Sequence, residues 1–372
     1  MSYSSIVYFL FIFSIYVAWI RSISKQKILI LLSVLGISIF HILNINFEFN
    51  KIIFVIFLLF SLISVLFSIF SKTVALRVYM GKEQLLKKWA SHPLQAIFGY
   101  LFYLFIKSIP LKTASKLGVK LGRFCAKLNM PVNRKALANI KMCFPNKTNN
   151  ECQKILSKSW SVFLRFVFEI PKLKTIYKNP DKYVSIEGLD NLKKMSGQPM
   201  IAMFAHYGSI SIVPIPFHKL GIKCSVIFRF PNNRLMSWFF FKMIASADNL
   251  KAIPKGDQGN RSSIKTLKRK ETLIIAVDQR FEGFGSLKLK FFGFDAPTAP
   301  GPVKLSKSFD APIVPIQVIQ QKGLKYKVII HKPFIPNSTD EADTQKINDI
   351  VEEWVKQYPE QWFWLHKRWK RG

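Results

Sequence analysis

The apolar residues of this 372-residue chain follow two different patterns along its length. The first part holds three nearly continuous apolar stretches, at 4–20, 28–47 and 52–70. The last two are long enough to cross a hydrocarbon core of roughly 30 Å as helices, and the first is shorter. This pattern predicts an N-terminal membrane module over residues 1–88 with two or three transmembrane helices. A single anchor followed by helices at the membrane surface is the alternative.

The charged residues between these stretches predict the orientation of the module. Arg21, Lys25 and Lys27 separate the first two stretches, Glu48 and Lys51 lie between the second and third, and five basic residues follow within 72–88. By the positive-inside rule the N-terminus lies outside, while the 21–27 loop and everything after residue 71 lie inside. The first five residues carry no positive charge, which argues against a signal peptide. We therefore expect a multi-pass membrane protein whose large domain faces the cytoplasm.

A fourth apolar stretch, at 94–109, has a different character. Gln95, Tyr100, Tyr103 and Lys107 interrupt it. A helix of this composition is better suited to the membrane interface than to the hydrocarbon core. We expect an interfacial helix here, at the start of the domain that follows the module.

Beyond residue 112 the pattern first predicts helices, over 112–127, 134–143 and 149–169. Short strands are then predicted at 183–186, 199–204, 223–228, 272–277 and 313–319, and four of them are nearly all apolar, as buried strands are. Helices fill the gaps at 209–219, 234–245, 260–268 and 303–308, and a last amphipathic helix covers 344–357. The segments 287–291 and 325–331 alternate or carry charge, which is typical of edge strands. Together these elements predict one α/β domain over residues 89–372, with a central mixed sheet flanked by helices.

Composition narrows the range of partners. The net charge is +34, and thirty of these excess positive charges lie in residues 73–372. Such a surface suits an acidic partner, and anionic lipid, nucleic acid and an acidic carrier protein all qualify. No helix-turn-helix, zinc-finger or RNP pattern is visible, so we expect no nucleic acid. Four dispersed cysteines without a CxxC pair, and no His/Asp/Glu cluster at ligand spacing, predict neither a disulfide framework nor a metal site.

One histidine occupies a position that suits catalysis. The apolar run 201–205 ends at His206, Gly208 follows, and a helix-compatible stretch covers 212–220. Open α/β sheets bind ligands at the carboxyl ends of their strands, where this histidine is expected. It can act as a general base, and Gly208 would let a substrate approach the backbone, whose N–H groups around Gly208 and Ser209 could stabilise an oxyanion. A structural histidine in an ordinary strand-to-helix turn is the alternative.

Eight segments in fixed order resemble a known family over about three quarters of the chain. They are NIKMCFP at 139–145, the His206 segment, FRF at 228–230, AVDQ at 276–279, FFG at 291–293, TAPGP at 298–302, APIVP at 311–315 and PEQWFWLHKRW at 359–369. In order and spacing they resemble the lysophospholipid-acyltransferase-like superfamily, and within it the late acyltransferases of lipid A assembly, of the lauroyl and myristoyl type.

The resemblance implies an activity and a location. A fatty acyl chain would pass from acyl carrier protein or a coenzyme A thioester to a hydroxyl of a lipid A-like glycolipid, at the bacterial cell inner membrane and without a cofactor. His206 would be the general base. The family carries Asp or Glu five positions after this histidine, to orient and stabilise the imidazolium, and this chain has Ser211. Ser211 is either a weak partner of His206 or a plain helix residue.

Several other residues are candidates for the site. Asp278 at a strand end, followed by Gln279 and Arg280, either replaces the missing carboxylate or binds a polar acceptor; a loop cap is its structural alternative. Arg229, directly after an apolar strand, suits a phosphate of donor or acceptor, or a surface ion pair. Lys242 is the basic residue present where the family carries an arginine-rich helix.

The resemblance also concerns the walls of the cleft and the end of the chain. It implies that residues 291–293 and 298–302 wall the substrate cleft. The Trp362, Trp364 and Trp369 cluster suits a membrane headgroup interface or the edge of a core. Glu169 is a remote candidate for the missing acid. Two other functions stay open, namely a non-catalytic lipid-binding relative marked by Ser211, and an acyltransferase for another lipid acceptor.

Overall fold

The structure is a computed structural model, and it describes residues 91–228, 233, 235–237 and 249–369. The predicted membrane module at 1–88 and most of the helix predicted at 234–245 lie outside these residues. Within the described ranges, no helix has both the length and the apolar character that a bilayer crossing requires. The chain divides into two units, Met1–Phe98 and Gly99–Gly372, and the fold described below is that of the second together with residues 92–98, where the first helix begins.

Within the described residues, four helices precede the sheet, and they match the predicted ones closely. They are α1 (His92–Ser108), α2 (Leu111–Lys127), α3 (Pro131–Cys143) and α4 (Asn149–Glu169). A capping box of Thr148 and Glu151 begins α4, so the orphan N–H groups of its first turn are satisfied. The backbones of α2 and α4 touch at Gly118, where a Cβ atom would lie 2.6 Å from the Leu164 carbonyl oxygen. A glycine is required there by this close approach.

The centre of the domain is a mixed sheet, as predicted, and it has seven strands in the described part of the chain. The strands are β1 (Val184–Glu187), β2 (Met200–Phe204), β3 (Cys224–Phe228), β4 (Leu250–Pro254), β5 (Thr272–Ala276), β8 (Ile313–Gln320) and β9 (Tyr326–Ile330). They lie in the order β1-β9-β8-β2-β5-β3-β4, and all neighbours are parallel except β8 and β9. A separate antiparallel hairpin pairs β6 (Leu287–Phe291) with β7 (Phe294–Thr298).

Helices cover both faces of this sheet. The remaining ones are α5 (Leu173–Lys178), α6 (Pro180–Tyr183), α7 (Leu189–Lys193), α8 (Ile215–Lys219), α9 (Asp257–Lys268), α10 (Gly301–Phe309) and α11 (Asp340–Gln357). All five residues of β2 are buried. Ile201 and Met203 join one core with α3, α4 and α11, whereas Met200, Ala202 and Phe204 join the opposite core with α5 and α8. A strand buried on both faces explains the continuous apolar run that predicted it.

Three predicted elements differ from the observed ones. The segment at 325–331 is β9, an inner strand between β8 and β1 rather than an edge strand, and its Lys327 pairs with Glu187 of β1 at 2.7 Å. The segment at 287–291 lies in the separate hairpin. The helix predicted at 209–219 is a 3₁₀ turn at Ile210–Ile212 followed by the short α8, since Pro214 and Pro216 cannot donate helical hydrogen bonds.

Candidate active site

His206 and Asp278 meet at the carboxyl edge of the sheet. The strands β2 and β5 are parallel neighbours, and Phe204 lies opposite Ala276. Each functional residue follows its strand by two positions, so the register places them side by side. The His206 Nδ1 atom lies 2.8 Å from Asp278 Oδ1, and the His206 backbone N–H donates to Asp278 Oδ2 at 2.9 Å.

Asp278 is held as a buried carboxylate. It is 4% exposed, and its Oδ2 also accepts a hydrogen bond from the Trp362 indole N–H at 2.8 Å. Burial works to raise the pKa of Asp278, but the charge of His206 and the hydrogen bonds outweigh it and lower this pKa to about 2. The group is therefore ionised at neutral pH and serves only as an acceptor.

His206 is arranged as a base. Because an ionised Asp278 can only accept, the ring donates its Nδ1–H to this carboxylate, and the lone pair stands on Nε2. Burial lowers the pKa of His206, whereas the charge and hydrogen bond of Asp278 raise it, and the net result lies above the ordinary value of 6.5. The side chain stays 27% exposed, so a ligand can reach it.

An open, mainly apolar cleft lies beside this histidine. Its lining residues are Ser159, Val162, Phe163, Phe166, His206, Gly208, Ile210, Gln361, Trp362 and Phe363. The four contributed by α4 occupy positions 159, 162, 163 and 166, which is the spacing of one helix face. The Ser159 hydroxyl donates to the Trp362 carbonyl oxygen at 2.6 Å, so it does not make this wall polar. The cleft therefore suits an apolar chain next to a base.

The closing segment, residues 359–369, completes the site from the far end of the chain. Tyr207 forms an antiparallel bridge with Trp362, and the Phe363 N–H donates to the His206 carbonyl oxygen at 3.0 Å. The Gly208 N–H donates to the Gln361 carbonyl oxygen at 2.8 Å. The Gly208 N–H, one of the backbone groups expected to stabilise an oxyanion, is therefore already bonded within the protein.

Gly208 is required by the backbone around it. Its φ is +62°, and a Cβ atom there would lie 2.0 Å from the Val318 carbonyl oxygen. The close approach that this glycine permits is thus that of β8, although Gly208 also lines the cleft.

Of the other predicted site residues, Gln279 contacts the His206–Asp278 pair and Arg280 has other partners. The Gln279 side-chain nitrogen lies 3.3 Å from His206 Nε2 and is positioned to donate to its lone pair. The Arg280 guanidinium pairs with Glu282, while its backbone N–H donates to His366 Nε2 at 3.2 Å. Arg229 and Lys242 lie outside the described residues.

Ser211 is not joined to the pair by any hydrogen bond within the described part of the chain. Its hydroxyl oxygen lies 3.5 Å from that of Ser209, and its carbonyl oxygen accepts from the Tyr177 hydroxyl at 3.1 Å. Five positions after His206, the chain turns through the 3₁₀ segment, and the carboxylate beside His206 belongs to β5 instead.

Several residues that were predicted to wall the cleft or to contact the membrane are buried in the structure instead. Phe291 and Thr298, the last residues of β6 and β7, are buried and are not among the lining residues of the cleft. The three tryptophans are buried too, at 2%, 1% and 6% exposure for Trp362, Trp364 and Trp369, so the cluster belongs to the core and not to a membrane interface.

Glu169 lies in a separate buried network. Its carboxylate accepts from Arg165 Nε at 2.8 Å and from the Tyr326 hydroxyl at 2.5 Å. These bonds satisfy the carboxylate where it stands, and the position beside His206 is already filled by Asp278.

Two parts of the site were missed in the sequence. The wall from α4 carried a readable signal, namely the helical spacing of Ser159, Val162, Phe163 and Phe166. The bond from Trp362 to Asp278 joins residues 84 positions apart and has no local signal.

Comparison with known proteins identifies a family that this chain matches. The family model described as bacterial lipid A biosynthesis acyltransferase matches residues 86–371. The lipid A biosynthesis acyltransferase of Haemophilus influenzae is 24% identical over 285 residues, which cover 72% of this chain and 85% of the relative. The lipid A biosynthesis palmitoleoyltransferase and lauroyltransferase of Escherichia coli are each 23% identical, over 70% and 71% of this chain and 86% and 88% of theirs. Among solved structures, the 1-acyl-sn-glycerophosphate acyltransferase of Thermotoga maritima aligns with a TM-score of 0.34 and 13% identity, over 70% of this chain and 100% of that one.

Proposed function

Since the chain belongs to the bacterial lipid A biosynthesis acyltransferase family and is an acyltransferase, we propose that it acylates a hydroxyl of a lipid A-like glycolipid. The observation that carries this proposal is the His206–Asp278 pair beside an apolar cleft. A base next to an apolar cleft at one strand edge suits the transfer of a fatty chain to a hydroxyl.

The proposed reaction is a direct transfer. The acceptor O–H gives its proton to His206 Nε2 as its oxygen attacks the carbonyl carbon of the acyl thioester. The tetrahedral intermediate then collapses with loss of the thiolate, which takes the proton from the imidazolium, so an ester and a thiol result. Asp278 keeps the ring in the required tautomer and stabilises its positive charge in between.

Gln279 has a place in this scheme. In the absence of substrate its amide occupies the lone pair of His206 Nε2. An acceptor hydroxyl takes that position, and the released amide N–H becomes a donor for the developing oxyanion. This role suits Gln279 better than Gly208, whose N–H is already bonded within the protein.

The donor and the location follow from chemistry and charge. Val162, Phe163 and Phe166 would hold the acyl chain of the donor, which is either acyl carrier protein or a coenzyme A thioester. The transfer needs no cofactor. The excess of positive charge in residues 73–372 would attract an acidic carrier protein and anionic lipids. We place the protein at the bacterial inner membrane, with this domain on the cytoplasmic side and residues 1–88 in the bilayer.

Two other functions are separated from this one by experiment. Ser211 is the feature that favours a non-catalytic lipid-binding relative, and the chemistry itself would serve another lipid acceptor. Purified full-length protein is incubated with a labelled acyl chain on acyl carrier protein or on coenzyme A as donor, and with a lipid A precursor or a lysophospholipid as acceptor. We expect acylated glycolipid from the parent and none from His206→Ala. Equal product from both proteins would overturn the role of His206, while product on the lysophospholipid alone would overturn the acceptor.

A further inference from the structure

Trp362 holds the carboxylate of the catalytic pair independently of the histidine. Among the described residues, Asp278 accepts three hydrogen bonds, of which two come from His206 itself, through Nδ1 and the backbone N–H. The third comes from the Trp362 indole at 2.8 Å and reaches the same Oδ2 atom as the His206 backbone. Of these donors, the indole is the one that does not belong to the residue whose proton moves.

The indole is itself held rigidly. Trp362 is 2% exposed, and its ring contacts those of Phe291, Trp364 and Trp369 at centroid distances of 5.5, 4.7 and 5.9 Å. Its carbonyl oxygen accepts from the Ser159 hydroxyl. A ring packed on three sides has little freedom to rotate, so the direction of its N–H is set by the fold.

We propose that Trp362 is a positioning residue, whose indole N–H fixes the Asp278 carboxylate and takes up part of its charge, and thereby sets the orientation and basicity of His206. The effect on turnover rests on the proposed function, but the effect on the histidine does not. The closing segment would thus tune the base from the opposite end of the domain.

The competing explanation is that a buried indole N–H only needs an acceptor. The same cluster contains two matched cases. Trp364 donates to the Pro359 carbonyl oxygen at 2.6 Å, and Trp369 donates to that of Phe291 at 3.0 Å. Both acceptors are neutral backbone groups, so removing these N–H groups changes packing and hydrogen bonding without touching the carboxylate.

Replacing any of these tryptophans with phenylalanine leaves the charges around the His206–Asp278 pair unchanged. The other titratable or charged groups that act on the pair or on its neighbours are Lys255, His366, Arg280 and Arg368. A tryptophan-to-phenylalanine change alters none of them, so a shift in His206 can be assigned to the lost N–H.

The test compares Trp362→Phe with Trp364→Phe in the full-length protein. Histidines are ¹³C-labelled, the His206 resonance is assigned with His206→Gln, and its titration is followed by NMR. We expect the pKa of His206 to rise in Trp362→Phe, because Asp278 then keeps more negative charge for the imidazolium, and to stay at the parent value in Trp364→Phe. We further expect kcat/KM to fall about tenfold to a hundredfold in the first variant, the effect of losing one hydrogen bond to a charged group, and less than about threefold in the second.

An unshifted His206 in Trp362→Phe would overturn the proposal, as would an equal shift in both variants. The titration does not depend on turnover. If the parent transfers no acyl group, the proposed function fails while the positioning role is still decided. If the variants fail to fold, a measurement on the unaltered protein still tests the proposal. The chemical shift of the Trp362 indole N–H should change with pH at the same midpoint as the His206 titration. An indole shift that does not change over this pH range would contradict the proposed role.

Discussion

At the scale of single residues, this chain supplies the acid beside its histidine from a different strand. The family pattern expects the acid five positions after His206, where Ser211 stands. The parallel register of β2 and β5 brings Asp278 to the same ring instead. A short turn and a neighbouring strand can deliver a carboxylate to the same edge, because all parallel strands of a sheet end on one side.

The pair predicts a defined dependence of activity on pH. His206 must be neutral to act as a base, and its pKa lies above the ordinary 6.5, so kcat/KM should rise with pH and reach half its plateau above that value. Asp278→Asn removes the charge that raises this pKa and leaves burial, which lowers it. We expect the half-rise of the variant to lie below 6.5. We also expect its plateau to fall about a hundredfold to ten-thousandfold.

Rate profiles of parent and Asp278→Asn across about pH 5 to 9 check this. A midpoint that does not move would mean that Asp278 does not interact with the base during turnover.

A second prediction concerns Ser211. Asp278 already accepts the hydrogen bond of the His206 ring, so the place of the acidic partner is taken. Ser211→Glu would therefore add a second negative charge near the pair instead of restoring a missing partner. We expect slower labelled acyl transfer than in the parent, with Ser211→Ala as the neutral control. A faster Ser211→Glu enzyme would show that the usual position of the acid was still required.

At the scale of elements, a buried arginine ties the closing segment to the hairpin and to α11. Arg368 is fully buried and donates to the Pro297 carbonyl oxygen, to Thr298 Oγ1 and to Asn348 Oδ1, at 2.8, 2.8 and 3.1 Å. Burial lowers its pKa to about 10, partly offset by the charge of Asp278. These bonds hold the segment that carries Trp362 against the domain.

Truncation of this residue should cost stability. Arg368→Ala removes a donor from three acceptors, one of which, Asn348 Oδ1, has no other donor in the described part of the chain, so the free energy of unfolding should fall by about 2–4 kcal/mol. The neighbouring Lys367 is exposed, and Lys367→Ala should change it by less than about 0.5 kcal/mol. Denaturant titration of both variants measures the difference. Equal stabilities would show that Arg368 does not anchor the segment.

At the scale of the whole molecule, the strongest expectation comes from the apolar stretches and the basic excess. We expect the intact chain to resist extraction by alkaline carbonate and by high salt, because attachment through the two or three proposed spanning helices would not depend on surface charge. About 1 M salt screens surface charges almost wholly, so complete release of the intact chain under that condition would contradict the spans.

A truncated chain tests the remaining attachment. Without residues 1–88 the protein keeps the basic surface and the 94–109 stretch, in which Tyr100, Leu101 and Leu104 of α1 are exposed. We expect vesicles with anionic lipid to bind this form, and salt to release it. Neutral vesicles are the control, and equal binding to both kinds would remove charge from the explanation.

Much of the fold and half of the site followed from local sequence. Apolar periodicity predicted α4 at its observed bounds of Asn149–Glu169, and five strands of the sheet, β1, β2, β3, β5 and β8, within one residue. It also placed His206 and Asp278 at strand ends. These features are local, because the face that a residue presents depends on its own helix or strand and on the few residues around it.

The tertiary structure decided which of these local pieces meet. His206 and Asp278 are 72 positions apart, and their contact depends on β5 lying next to β2. Alternating charge made β9 look like an edge, although β1 covers it through Lys327 and Glu187. The closing segment combines tryptophans with basic residues, which is typical of a membrane interface, yet its tryptophans pack in the core. Such outcomes depend on the order of strands and on partners far away in the chain, and a local pattern of apolar residues carries no information about either.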